Sequence, residues 1–126
     1  METYLQKDYV TIKYLNDKRI LILEWLKIST SLEFREGMNA LIPAMEHFKT
    51  GKLICCLTNA GALHTDDQHW VASDWHTRAL AAGHSHVAII LAKDIFVQLS
   101  IEGSMGNVTL PTAYFDNMED AIDWIS

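Results

Sequence analysis

Proline and cysteine each occur only twice in the 126 residues, and glycine only six times. No repeat, linker or low-complexity segment interrupts the chain. Basic residues are also few, 10 against 16 acidic ones, for a net charge of −6. Nucleic acid and anionic membrane surfaces both require clustered Lys and Arg. Here Lys13, Lys18, Arg19 and Lys27 are scattered along one stretch, so neither is expected as a partner. No apolar run approaches the roughly 20 residues that span a bilayer, so no transmembrane segment is expected. Met1-Glu2-Thr3-Tyr4 lacks the basic start and apolar run of a secretion signal. The two cysteines are the neighbours Cys55 and Cys56. In a strand they point to opposite faces and cannot bond to each other. They read as small core residues of a reduced, cytoplasmic protein.

Catalytic arrangements are missing as well. Neither Ser73 nor Ser100 lies in a Gly-x-Ser-x-Gly elbow, and neither cysteine has a recognisable histidine partner. Gly103 and Gly106 lack the lysine and the strand-to-helix context of a phosphate cradle, and they read as a turn.

What is present is the material of one globular α/β unit covering 1–126. The chain is 49% hydrophobic and 21% charged, and its length suffices for one core. Tyr9 to Tyr14 alternates as a strand, Asn16-Asp17 supplies a turn, and Arg19 to Trp25 returns. Ile20-Leu21-Ile22-Leu23 is apolar on both faces, which predicts a central strand. One of Ser29, Thr30 or Ser31 then caps a helix whose stripe is Phe34, Met38, Leu41, Ile42, Met45 and Phe48. Pro43 predicts a kink or short break in it, and Gly51 its end. Lys52 to Thr58 is the next strand.

Thr65 with Gln68 predicts a capping box for a second helix, with Asp66 and Asp67 favouring its positive end. Val71, Trp75, Ala79 and Ala82 form its inward face, and Gly83 stops it. Val87 to Ala92 reads as a strand. Residues 94–102 alternate like a strand, yet a crossover between parallel strands is needed there, so a short helix is predicted. A loop from Gly103 to Pro111 leads to a strand at 112–115. The last helix opens on a capping box from Asp116 to Glu119 and buries Met118, Ala121, Ile122 and Ile125. The pattern predicts one mixed sheet of about five strands, an N-terminal β-hairpin followed by alternating helices and strands.

This order, with Asp67-Gln68-His69-Trp70-Val71, Trp75, Arg78-Ala79 and Gly83, resembles the SpoIIAA-like proteins of the STAS/SEC14 superfamily. Asp94-Ile95-Phe96, Ser100-Ile101-Glu102 and the ending Tyr114-Phe115-Asp116 with Ala121 and Trp124 extend the likeness over nearly the whole chain from Tyr9. The resemblance implies a non-catalytic regulatory or protein-interaction module, or a cavity for a small hydrophobic molecule. STAS-type anti-sigma antagonists carry a phosphorylatable serine in an Asp-Ser-Ser-Gly-like turn before the second helix. Here that turn reads from Thr58 to Thr65 without the motif, and Thr58 and Thr65 are its only hydroxyls.

His64, Asp66, Asp67 and His69 form the most enzyme-like stretch, since imidazoles and carboxylates can hold a metal that activates water. Two histidines five apart diverge around a helix, however, and His69 and His76 are about 10 Å apart. Asp66 and Asp67 are therefore expected to stabilise the helix start, with the histidines facing solvent. His84-Ser85-His86 reads as a polar, surface beginning to the strand that follows. Trp70 lies about 100° from Val71, at the edge of the buried stripe, where it can cover the sheet, line a pocket or anchor a partner. Arg78 can pair with Asp74 or hold an anion beside Trp75.

The leading expectation is an interaction module acting through protein contacts, self-association as a homodimer included. The alternative is a carrier or sensor with a hydrophobic pocket near Trp70, Met38 and Met45, and a metal-dependent hydrolase ranks third. No cofactor is expected.

Overall fold

A computed structural model describes residues 1–105 and 109–126. Among the described residues, six strands form one sheet in sequence order: β1 (Glu2–Gln6), β2 (Val10–Leu15), β3 (Ile20–Trp25), β4 (Lys52–Cys56), β5 (His86–Ile90) and β6 (Thr112–Phe115). The first three are antiparallel neighbours, and β3 through β6 run parallel. The expected α/β class, mixed sheet and alternation are thus present, with one strand more than the five expected. That extra strand, β1, pairs with β2 through an irregular register between Thr3 and Leu5. Its residues are exposed or half-buried, so it lacks the apolar signal that marks a strand in sequence.

Helix α1 (Ser31–Phe48) connects β3 to β4 and begins on the capping box of Thr30 and Glu33. Thr30 Oγ1 accepts from the Glu33 N–H at 3.2 Å, and the Glu33 carboxylate accepts from the Thr30 N–H at 2.9 Å. The helix runs unbroken through Pro43 and ends on Lys49 in the left-handed region. Gly51 therefore serves another purpose than ending it. A Cβ at Gly51 would lie 1.8 Å from the Gly83 carbonyl oxygen, so only glycine permits these two segments to touch.

Between β4 and β5 lies a continuous helical run: α2 (Thr65–Trp70), a π turn (Val71–Trp75) and α3 (His76–Ala81). The expected Thr65–Gln68 capping box does not form. His64 holds the cap position without a side-chain bond, and Gln68 instead donates to the Leu63 carbonyl at 3.0 Å. In the π turn the His76 N–H reaches back five residues to the Val71 carbonyl. Ser73 and Thr77 hydroxyls donate to the carbonyls four residues earlier, at His69 and Ser73, in competition with the ordinary helical ladder there.

Helix α4 (Ile95–Met105) bridges β5 to β6, as the crossover argument required. It extends past Glu102, so Gly103 is helical rather than loop. Gly103 also sits where a Cβ would strike the Gln68 side chain at 2.1 Å, beneath the contact of α2 with α4. Gly106 lies outside the described residues. Helix α5 (Met118–Ile125) is capped by Asn117, whose side chain accepts from the Asp120 N–H at 2.9 Å. The cap is thus one residue later than the Asp116–Glu119 box expected.

Side chains alternate across the sheet, and each face builds its own core. One face, under α1, the π turn, α3 and α4, buries Trp25, Phe34, Leu41, Met45 and Trp75 among others. The opposite face, under α5, is smaller and buries Ile20, Ile22, Ile54, Ala88, Ile90 and Ala121. Among the described residues, no helix is long and apolar enough to cross a membrane.

Candidate functional site

Among the described residues, the helical face does not close on the sheet. A cavity of about 70 Å³ lies between β4 and β5 below and the helices above. Its floor is Leu53, Cys55 and Leu57 with Val87 and Ile89. Phe34 and Met38 from α1, Val71 and Trp75 from the π turn, and Ile101 and Met105 from α4 form its walls. Cys55 and Val87 are the smaller floor residues, and Phe34 and Trp75 are the broad groups of the walls.

Protein interiors tolerate few such voids. At roughly 24 cal/mol per Å³, 70 Å³ of unfilled core costs about 1.7 kcal/mol. The lining is nearly all hydrocarbon, and apolar cavities stay dry and accept apolar guests.

Four polar side chains front the void: Cys55, Ser104, His84 and the partly buried His76. Cys55 is only partly covered by protein because it faces the cavity, yet desolvation pushes its thiol up to about 12. The Ser104 hydroxyl, buried, donates to the Ile101 carbonyl at 2.6 Å. His84 is only 6% exposed, which corrects the expectation of a surface position. Its Nδ1 lies 3.0 Å from the Gly51 carbonyl oxygen. Burial pushes its pKa down to about 4, opposed by that hydrogen bond. The Gly51–Gly83 contact draws His84 inward, and Trp75 packs edge-on against its ring at 5.8 Å. The Trp75 indole N–H is itself engaged, donating to the Met38 carbonyl at 2.7 Å.

Of the residues expected to shape a pocket, Met38 lines the cavity and Met45 lies fully buried away from it. Trp70 is also outside it. It stands at the surface edge of the helical layer, edge-on to Phe34, with the Arg35 and Arg78 guanidiniums 4.9 and 5.7 Å from its ring. Arg78 pairs with Asp74 at 2.7 Å and donates to Asn39 at 2.8 Å. Sequence patterning does not single out Trp25, Phe34, Cys55, Trp75 and His84 as pocket residues. The patterning marked the aromatics as core, and a cavity wall carries the same signal.

His64, Asp66, Asp67 and His69 do not converge. Asp67, 2% exposed, turns inward, where one carboxylate oxygen accepts from Ser31 Oγ and Arg35 Nε, each at 2.8 Å. His64, Asp66 and His69 remain exposed. Among the described residues no three His, Cys, Asp or Glu side chains gather closely enough for a metal. Asp67, His64 and Ser31 instead border a smaller void of about 20 Å³ between the β3–α1 and β4–α2 loops. Thr58 lies 3.5 Å from Cys56 Sγ, and Thr65 is exposed at the first position of α2.

A second unusual feature is α4. Its inward positions hold Gln98, Ser100 and Ser104, while Ile95, Phe96 and Leu99 are 63%, 73% and 55% exposed. Ser100 is satisfied, accepting from the Leu63 N–H and donating to the Val97 carbonyl, whereas buried Gln98 Nε2 has no partner among the described residues.

The chain matches no protein-family model, no curated protein and no solved structure.

Proposed function

We propose that this chain is a non-catalytic binding module that takes a small apolar molecule into the cavity between β4–β5 and the helices. The observation that carries the reading is the void itself: an apolar gap beside the larger core. Its cost is offset only when a guest restores the missing contacts. Kinship with SpoIIAA-like domains is part of the proposal, supported by the order of elements and the residues quoted for it. The unbridged cysteines support a reducing, cytoplasmic setting.

Native mass spectrometry against the denatured mass tests this. A mass excess lost on denaturation, and absent from Cys55→Leu, which fills the floor, is the expected result. Equal native and denatured masses, with no guest taken up on titration, would contradict it.

A second reading, a protein-interaction module that includes self-association, is favoured by the outer face of α4. Three large apolar side chains at helical spacing stand in water there. Phe96→Asp would then abolish an assembly seen by light scattering while leaving cavity binding intact.

A further inference from the structure

We infer that the cavity selects a compact apolar molecule carrying one hydrogen-bond donor, an N–H or O–H, which His84 Nε2 receives. The inference rests on the cavity being a ligand site. A carbonyl oxygen can only accept, so the 3.0 Å contact to Gly51 places the proton of His84 on Nδ1. Burial keeps the ring neutral near pH 7. Nε2 is then a bare lone pair, and only Nδ1 of this ring is hydrogen-bonded among the described residues.

The anchor is stiff. Gly51 O also accepts from the N–H groups of Ser85 at 2.9 Å and His86 at 3.3 Å, and the Gly51–Gly83 contact leaves no space for a side chain. The ring therefore cannot turn Nδ1 toward the cavity without losing its bond.

The other polar groups sharpen the selection. Trp75 and Ser104 have committed their protons to the Met38 and Ile101 carbonyls. The Cys55 thiol is a weak donor. His76 also lines the cavity, but it is only partly buried, whereas His84 is buried. The buried strong acceptor in this largely hydrocarbon wall is thus His84 Nε2. A guest without a donor leaves that acceptor unpaired, and a guest with one satisfies it.

Pyrrole and furan provide the test, because they are nearly identical in size and only pyrrole carries an N–H. Amide shifts in the wild-type protein and in His84→Leu, titrated with each, give four affinities. Pyrrole is expected to bind the wild type about five- to tenfold tighter than furan, and His84→Leu to erase or reverse that preference while still taking furan. An unchanged preference in His84→Leu would overturn the role of His84 and leave the cavity reading standing. Binding of neither probe to the wild type would overturn both. If His84→Leu does not fold, the ¹⁵N resonance of Nε2 in the wild type decides. It moves with pyrrole and not furan if the inference holds, and its standing still with pyrrole bound refutes it.

Discussion

The two faces of the sheet draw on the same strands and reach different degrees of closure. Under α5, Ile54, Ala88 and Ile90 meet Ala121 and Ile125, and every one of these side chains is buried. Under the other helices, larger aromatic groups from α1 and the π turn stand over Cys55 and Val87 and leave a void. A short helix with small and branched residues interdigitates with a sheet, whereas broad rings over a shallow floor do not. The better-packed face is the smaller one. The void belongs to the face that carries most of the core.

Four measurements would break or sharpen this contrast. The largest effect is expected from Ile54→Ala on the α5 face, a loss of about 2–5 kcal/mol in denaturant unfolding, with no change in cavity binding. Between pH 6.5 and 4, acidification should act mainly on the cavity face, through His84 and through His76, whose pKa burial also lowers. His84 stays neutral in the folded state down to about pH 4, while the unfolded chain protonates it near 6.5. Stability contributed above pH 6.5 is then lost progressively as the pH falls toward 4, by up to about 3 kcal/mol. His84→Leu should flatten that part of the profile, and an unchanged profile would place the acid sensitivity elsewhere.

Two small-to-large substitutions on adjacent strands then test packing directly. Ala88→Leu, facing α5, should destabilise by about 1–3 kcal/mol through overpacking. Cys55→Leu, facing the void, should stabilise by about 1 kcal/mol as judged by thermal unfolding. The same sign for both would remove the contrast between the faces.

Much of the frame was legible in the sequence. The stripe from Phe34 to Phe48, the apolar run at Ile20, and the crossover helix before β6 all followed from spacing and topology. Strand β1 was not, because an edge strand with half-exposed residues has no alternation strong enough to read. The two shifted caps, on His64 without a side-chain bond and on Asn117, show that cap-forming residues fix a helix start only to within a residue. The cavity had no local signature at all. Its walls are ordinary core residues, and the gap arises from how their sizes meet across the fold. The burial of His84 is hidden in the sequence for a related reason. His84-Ser85-His86 is polar in sequence, and only the approach of Gly51 to Gly83, distant along the chain, draws the first imidazole inward. Asp67 likewise looked like a helix-start carboxylate until Arg35, 32 residues away, drew it into a buried pair.

The central claim is that the void on the helical face is a binding site, and xenon tests it most directly because it requires only an apolar space. Xenon-induced shifts in a ¹H–¹⁵N spectrum should centre on Cys55, Val87 and Trp75 in the wild-type protein and vanish in Cys55→Leu. Shifts equal in both proteins, or none at these residues in the wild type, would contradict the account.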